Sequence, residues 1–526
     1  MHSEDKVNPE EKVSAEENSS VTENTSAPEE SNLIITRRRF ISGAAVTAAG
    51  VVAAPYIARA AELNSGKNPD LTVAAPSVIT SRTLNTSNRL NKLNVAFVGT
   101  GGRAGSHVHD LADPNSKLAQ NIVAYADVSE GSWKDVKNFA PNAKGYTDWR
   151  KMFDNHMNEI DAVIVAVPDH SHAGPAMRAI RSGKHVYCEK PLTWSVAEAR
   201  ALGDAAARHR VATQMGNQGH AGEGNRLVVE WVRGGVIGDI TEIHSWTNRP
   251  IWPQGNLKRG PVKPVPAGLN WDAWLGPAPY RDYTEAIDAQ GHTSSILPFN
   301  WRGWFDYGCG AIGDMGCHTW DQVFWAMEPD YPSSVTLLEI DNKGTETFAA
   351  RTHFKWEFPA KNGRPAFTSH WYSGGMKPAA PEEYINDPAI KSADGKKREL
   401  PGSAVLWIGT KGKMLVQGDY ADNPRLIPES FMKQAKLPDK WIPRSPGHMQ
   451  EFVMAAKGEK PWDYPGSSFA AYAAPITEVL LIGAIAEKIG QVGFKIECDP
   501  VWRRIKTPEA IALTGREYRK GWELDT

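Results

Sequence analysis

The chain has 526 residues, with 59 Lys and Arg against 61 Asp and Glu, a formal net charge of −2 and 41% apolar residues. That length exceeds a single core, and that charge balance excludes nucleic acid or an anionic surface as the main partner. Four cysteines without paired spacing exclude a small disulfide-stapled scaffold.

Residues 1–60 read as a disordered N-terminus ending in an export signal. Almost no large apolar residue precedes Leu33, so this stretch cannot bury enough surface to fold. Thr36-Arg37-Arg38-Arg39-Phe40-Ile41 then presents a twin-arginine pair, Gly43–Ile57 a modest alanine-rich apolar stretch, and Ala58-Arg59-Ala60 an A-x-A cleavage site. The expectation is Tat export to the periplasm, with the Tat translocase as a transient partner and a mature start near Ala61. The apolar stretch is too short for a comfortable membrane span, and no other segment is expected to span. Residues 61–92 read as a polar linker.

Residues 93–217 read as a dinucleotide-binding Rossmann domain. The apolar strand Leu93–Val98 runs into Gly99-Thr100-Gly101-Gly102-Arg103-Ala104-Gly105, which fits G-x-G-x-x-G/A. Gly99 serves the tight turn, Gly101 the close approach of a pyrophosphate, and Ala104 the packing of helix on strand, with Gly102 and Arg103 beside them. A second strand, Asn121–Ala126, ends at Asp127, an acid suited to the ribose hydroxyls; no arginine follows closely, which favours NAD over NADP. The apolar run Asp161–Val167 leads to Pro168-Asp169-His170-Ser171-His172, with Pro168, Asp169 and His172 as cofactor contacts. Val186–Cys188 ends at Glu189-Lys190-Pro191, beyond the carboxyl end of a parallel strand where ligands bind in such sheets. Lys190 is the leading catalytic candidate there, and Glu189 and Lys190 both belong to the cofactor set. Ser195 and Glu198 form a capping box for a helix reaching His209.

Residues 218–500 read as an α+β domain, which the family resemblance described below implies is a substrate and oligomerisation domain, and 501–526 as a C-terminal tail. Asn217 and Gln218, at the exit of the nucleotide sheet, are expected on the substrate wall. Ile240–Trp246 alternates as a strand. Thr247–Asn300 is long, proline-rich and aromatic, and reads as a loop region serving either as a lid or as an oligomer arm. Arg302 follows, and then Asp314 and His318, four apart and so on one face of a helix, with glycines before Asp314 that allow close backbone approach; the substrate and catalytic roles of the three are what the family resemblance described below implies. Alternating strands follow within Ser334–Phe358, Ala366–Tyr372 and Ala404–Val416, and Ser468–Ile489 reads as a packing helix. No metal is expected, because neither His170 with His172 nor Cys309, Cys317 and His318 match a familiar ligand spacing.

Together, Gly99–Gly105, Asp127, Val167-Pro168-Asp169-His170-Ser171-His172 and Cys188-Glu189-Lys190-Pro191 resemble the Gfo/Idh/MocA oxidoreductase family from Leu93 to about Gly490. The resemblance implies an α/β Rossmann domain followed by an α+β domain with a large, mostly antiparallel open sheet, and a dimer or tetramer built on that sheet. It implies that Lys190 acts at the nicotinamide and the substrate carbinol, and that Asp314 and His318 are the family's Asp-x-x-x-His pair. The expected activity is NAD-dependent oxidation of a secondary alcohol on a sugar, cyclitol or sugar derivative, with the cofactor held tightly because no free pool exists outside the inner membrane. His318 is favoured as base and Lys190 as its partner, with the reverse left open. Two other classes stay open: a redox-neutral NAD-dependent glycosidase, epimerase or lyase of the same superfamily, and a non-catalytic sugar sensor. The intact Glu189-Lys190-Pro191 favours the oxidoreductase.

Overall fold

The computed structural model describes residues 92–389 and 398–525; the expected export signal and all but the last residue of the expected linker lie outside them. β1 (Asn94–Val98), β2 (Asn121–Ala126), β3 (Lys144–Tyr146), β4 (Ala162–Val165), β5 (His185–Cys188) and β6 (Thr213–Met215) form one sheet in the order β3-β2-β1-β4-β5-β6. Every pair is parallel. β1, β4 and β5 are short apolar runs buried almost throughout, as strands covered by helices on both faces must be. The order reverses between β1 and β4, which opens the crevice at their carboxyl ends. The helix Val196–His209 starts with the expected capping box: Glu198 donates its N–H to Ser195 Oγ at 3.2 Å, and its carboxylate accepts from Ser195 N at 3.1 Å.

The second domain is built on a nine-stranded sheet that begins with β7 (Ile240–Trp246), within the bounds its alternation predicts. A smaller sheet of β8 (Lys258–Val262), β9 (Thr284–Ile287) and β10 (Thr293–Ser294) follows. The large sheet then adds β11 (Ser334–Asp341), β12 (Arg351–Phe358), β13 (Phe367–Tyr372), β14 (Ala404–Gly409), β15 (Gly412–Gln417), β16 (Asn423–Ile427), β17 (Lys495–Asp499) and β18 (Arg504–Ile505). Its order is β16-β15-β14-β7-β13-β12-β11-β17-β18, antiparallel except for the parallel pair β7–β13.

The stretch Thr247–Asn300 is thus more than a loop. Besides β8–β10 it carries the short helix Trp271–Leu275, and its aromatics form their own cluster with Trp304 and Tyr307. Trp271 and Trp274 stack at 4.8 Å. The segment is pinned to the nucleotide domain by Asn270 N–H to Val128 O (2.8 Å) and Glu130 N–H to Gly268 O (3.3 Å). Short strands broken by Gly and Pro leave little periodicity to read, which is why the sequence shows only a loop here. Residues 501–526 also fold back: the Arg516 guanidinium lies 3.7 Å over Trp194, and that of Arg150 lies 3.6 Å over Trp522.

Among the described residues one helix, Phe469–Ile489, is long and apolar enough to cross a membrane, but 89% of its most apolar window is buried inside the molecule. It packs against Val196–His209, against the helix Gly310–Thr319 and against β11. Its one central carboxylate, Glu478, is buried and held by Arg200 (2.6 Å) and Arg503 (3.3 Å). The crossings are close: a Cβ at Gly203 would lie 2.9 Å from Ala474 Cβ, and one at Gly483 would lie 2.5 Å from the Phe354 ring. Gly203→Val should therefore force the two helices apart and cost about 1–3 kcal/mol. Urea unfolding is the check, and an unchanged midpoint would show that the crossing yields freely.

Candidate active site

β1 delivers the chain into a turn that only glycine fits. Gly99 has φ +90°, and a Cβ there would lie 2.1 Å from Ala166 O. A Cβ at Gly101 would lie 2.8 Å from Ser132 Oγ, and Gly102 is also left-handed, at φ +55°. The helix Ala104–Ala112 starts directly behind, with its amino end toward the turn. Asp127, just past β2, accepts from the N–H groups of Thr100 (2.9 Å), Gly101 (3.3 Å) and Ser129 (2.9 Å). It therefore shapes the glycine turn as well as facing the space above it. Burial raises its pKa, against these hydrogen bonds.

A cleft of about 1100 Å³ runs from Gly99, Gly101, Gly102, Arg103 and Asp127 past Pro168 and Asp169 to Glu189, Lys190, Gln218, Arg302, Asp314 and His318. Bare glycine backbone, a helix amino end and an acid beyond β2 are the groups a dinucleotide needs, and the residues present fit one. Asp169 is buried and accepts from Cys309 N at 3.1 Å; burial pushes its pKa up to about 6.

At the far end of the cleft the two domains meet. Lys190 Nζ, from the end of β5, donates to Asp314 Oδ1 (2.8 Å) and to the Asp314 backbone carbonyl (2.7 Å). Arg302 Nε donates to the same Oδ1 at 2.9 Å, its guanidinium flanked by the Phe299 and Trp301 rings at 4.3 and 4.4 Å. Burial opposes both charges. The attraction between them prevails, so the Lys190 pKa lies above its ordinary value and that of Asp314 well below the usual carboxylate range. His318 sits one turn beyond Asp314; burial, aided by the Lys190 charge, lowers its pKa to about 3. Its Nδ1 is buried without a hydrogen-bond partner among the described residues. Beneath Lys190, Glu189 Oε1 accepts from His107 Nε2 (2.7 Å) and Arg103 Nε (3.3 Å). Burial would raise the Glu189 pKa, but these two partners hold it at about 2.

Three expected contacts do not reach the cleft surface. Ala104 is wholly buried, as its packing role requires. His172 lies beneath the floor, its ring nitrogens 2.8 Å from the carbonyls of Val167 and Pro191, where it ties together the ends of two strands. Asn217, expected on the substrate wall, is fully buried instead and donates to Asp321 Oδ1 at 3.0 Å, in a network completed by His220 and Tyr472. A buried aspartate needs donors, and Asn217 supplies one. Gln218 does line the cleft, with a buried Oε1 that has no partner among the described residues.

Other cleft groups have no sequence signal of their own. Tyr420, from the turn after β15, meets the His318 ring edge-on at 4.9 Å. Trp252 and Phe299 line the wall from the long insertion. His107 had a faint signal, being a polar residue on the buried face of the helix behind the glycine turn.

Residues 93–217 match the Gfo/Idh/MocA model for the NAD-binding Rossmann fold of an oxidoreductase family, and residues 236–368 match the model for that family's C-terminal alpha/beta domain. An uncharacterized oxidoreductase of Streptococcus pneumoniae is 35% identical over 91 residues, 17% of this chain and 25% of that protein. An alpha-N-acetylgalactosaminidase of Shewanella oneidensis is 27% identical over 214 residues, 39% of this chain and 44% of that protein. The chain thus spans less than half the length of these curated relatives. The WlbA dehydrogenase of Bordetella pertussis, solved in complex with NADH and UDP-GlcNAcA, shares the fold at a TM-score of 0.51 and 15% identity, over 78% of this chain and 99% of that one. The chain carries an NAD-binding Rossmann domain followed by a C-terminal α/β domain, and over these two matched stretches it is similar to the Gfo/Idh/MocA oxidoreductase family.

Proposed function

We propose that the protein is an NAD-dependent oxidoreductase acting on a secondary alcohol of a sugar, cyclitol or sugar derivative. The observation that carries this reading is the meeting of Lys190, Asp314 and His318 at one end of a dinucleotide-sized cleft. NAD, when bound, supplies the acceptor or donor of hydride at nicotinamide carbon 4. Lys190 keeps its charge and has committed two of its three N–H groups to Asp314, so one remains for a substrate oxygen. His318, neutral, takes the hydroxyl proton; a charged Lys190 cannot. Gln218 Oε1 and Arg302 are placed to orient other substrate groups, and the Trp252 and Trp301 faces suit the apolar faces of sugar rings. The solved dehydrogenase with NADH and UDP-GlcNAcA supports a sugar-derived substrate.

Tight retention of the cofactor and Tat export to the periplasm belong to the same reading. The pinned aromatic insertion along the cleft supports retention, and the twin-arginine stretch Arg37–Arg39 supports export. Mass spectrometry of nucleotide released on denaturing the exported protein is the test: near-stoichiometric NAD is expected, and a protein that is empty and fails to bind NAD would defeat the assignment. A redox-neutral glycosidase on the same scaffold is the second reading, favoured by the Shewanella relative. Release of nitrophenol from a nitrophenyl glycoside with no net NADH would put it first.

Lys190→Ala should lower kcat/KM by about 10²–10⁴-fold, while NADH fluorescence titration still reports binding. Unchanged turnover would strip Lys190 of a catalytic role. Because burial keeps His318 neutral down to about pH 3, the acid limb of kcat/KM for alcohol oxidation should carry no His318 inflection near pH 6.5. An inflection near pH 6 is instead expected from Asp169, and should vanish in Asp169→Asn. One that vanished only in His318→Gln would show that the imidazole titrates as an ordinary solvated histidine.

A further inference from the structure

We propose that β7 and β13 carry a binding site for one zinc-class divalent cation, with Glu242 Oε1, His244 Nε2 and His370 Nε2 as its protein ligands. The three residues form no ligand motif along the chain. The sheet assembles them. Glu242 and His244 are two apart on β7 and so share a face, and His370 pairs directly with His244 across the parallel β7–β13 junction. The intervening Ile243, like Trp371, points into the main core, so the three ligands lie on the face turned away from it.

The three ligand atoms converge. His244 Nε2 lies 3.1 Å and His370 Nε2 3.3 Å from Glu242 Oε1, and all three atoms lie within 4.8 Å of one another. A tetrahedral zinc with bonds of about 2.0–2.2 Å holds its ligand atoms about 3.3–3.5 Å apart, so two edges of the polyhedron are nearly in place. Both imidazoles are largely buried.

The far-side nitrogens supply the independent argument. His244 Nδ1 lies 3.0 Å from Tyr372 Oη; His370 Nδ1 lies 3.0 Å from His353 Nε2, and His353 Nδ1 lies 3.3 Å from Glu339 Oε1. Suppose instead that the cluster were held by hydrogen bonds alone, with His370 Nε2–H donating to Glu242. His370 Nδ1 must then accept from His353 Nε2–H, which leaves the His353 Nδ1 lone pair facing the Glu339 carboxylate, acceptor against acceptor. A cation at the three ligands reverses the chain: His370 Nδ1–H donates to His353 Nε2, and His353 Nδ1–H donates to Glu339. Every neutral imidazole is then satisfied, and His244 Nδ1–H donates to Tyr372. Such outer partners orient the ligands of zinc sites generally. None of these residues lines the nucleotide cleft, so the site is separate from the Lys190 machinery.

The test is zinc titration of the untagged, full-length protein after chelator treatment, with bound metal counted by elemental mass spectrometry. One zinc per chain is expected, falling at least 100-fold in affinity in His370→Ala and Glu242→Gln, and about 10–100-fold in His353→Asn, whose only role is outer orientation. NAD-linked turnover should be unchanged in His353→Asn. Cobalt(II) added to the unmodified protein should give the intense visible bands of a four-coordinate site, displaced by zinc, which reads the site even where a variant fails to fold. Zinc binding that survives His370→Ala, or an unmodified protein that takes up neither zinc nor cobalt, would overturn the proposal.

Discussion

The site depends on one buried ion pair, Lys190 with Asp314. Lys190 comes from the last residues of the nucleotide sheet and Asp314 from a helix of the second domain, and each side chain is only 14% exposed. Removing one partner of such a pair leaves an uncompensated buried charge, at a cost of about 3–5 kcal/mol. The pair therefore stands only while the two domains hold their relative position. That position is set by the apolar helix Phe469–Ile489, which packs on the helix that follows Lys190 and on the helix that carries Asp314. The absence of a side chain at Gly203, Gly316 and Gly483 lets it come close enough. A helix with the length and apolarity of a membrane span thus works here as the spacer between the two halves of the candidate site.

The pair also sorts the protonation states around it. Asp314 and Arg302 fix where the Lys190 charge sits, and that charge, with burial, keeps His318 neutral. Glu189, one residue before Lys190, stays ionised because His107 and Arg103 hold it, while Asp169, with weaker support, is pushed toward the neutral form. Neighbouring groups whose environments drive their pKa values apart can divide acid, base and electrostatic roles among themselves. A charged lysine beside a histidine that is neutral at rest and free to take up a proton is the division that the proposed proton removal from an alcohol requires.

What was legible in the sequence is what local chemistry dictates. The Gly99–Gly105 turn, the acid ending β2, the capping box at Ser195 and the alternation of β7 are each written within a few neighbouring residues, and the structure has them where they were read. Asp314 and His318 were legible as a pair because helical spacing alone puts them on one face. The rest depends on partners far along the chain. Asn217 is a polar residue at a sheet exit, and only the fold brings the buried Asp321 to within 3.0 Å of it. Tyr420 meets His318 only because β15 ends where it does. The Glu242, His244 and His370 cluster exists only in the register of a parallel pair, which no ligand spacing encodes.

β7 shows how one strand serves both faces of its sheet. Its inward residues, Ile243 and Ser245, are buried on the side of the core, while Glu242 and His244 face outward into a set of imidazoles, carboxylates and the Tyr372 ring. A one-residue slip of β7 against β13 would expose Ile243 and bury Glu242 in an apolar core, so burial of the inner face specifies the register. The same register brings His244 opposite His370. The arrangement of the outer polar cluster is therefore enforced by the hydrophobic packing on the other face of the sheet, just as the Lys190–Asp314 pair is enforced by the helix beneath it. In both places apolar packing supplies the rigidity, and the polar groups supply the chemistry.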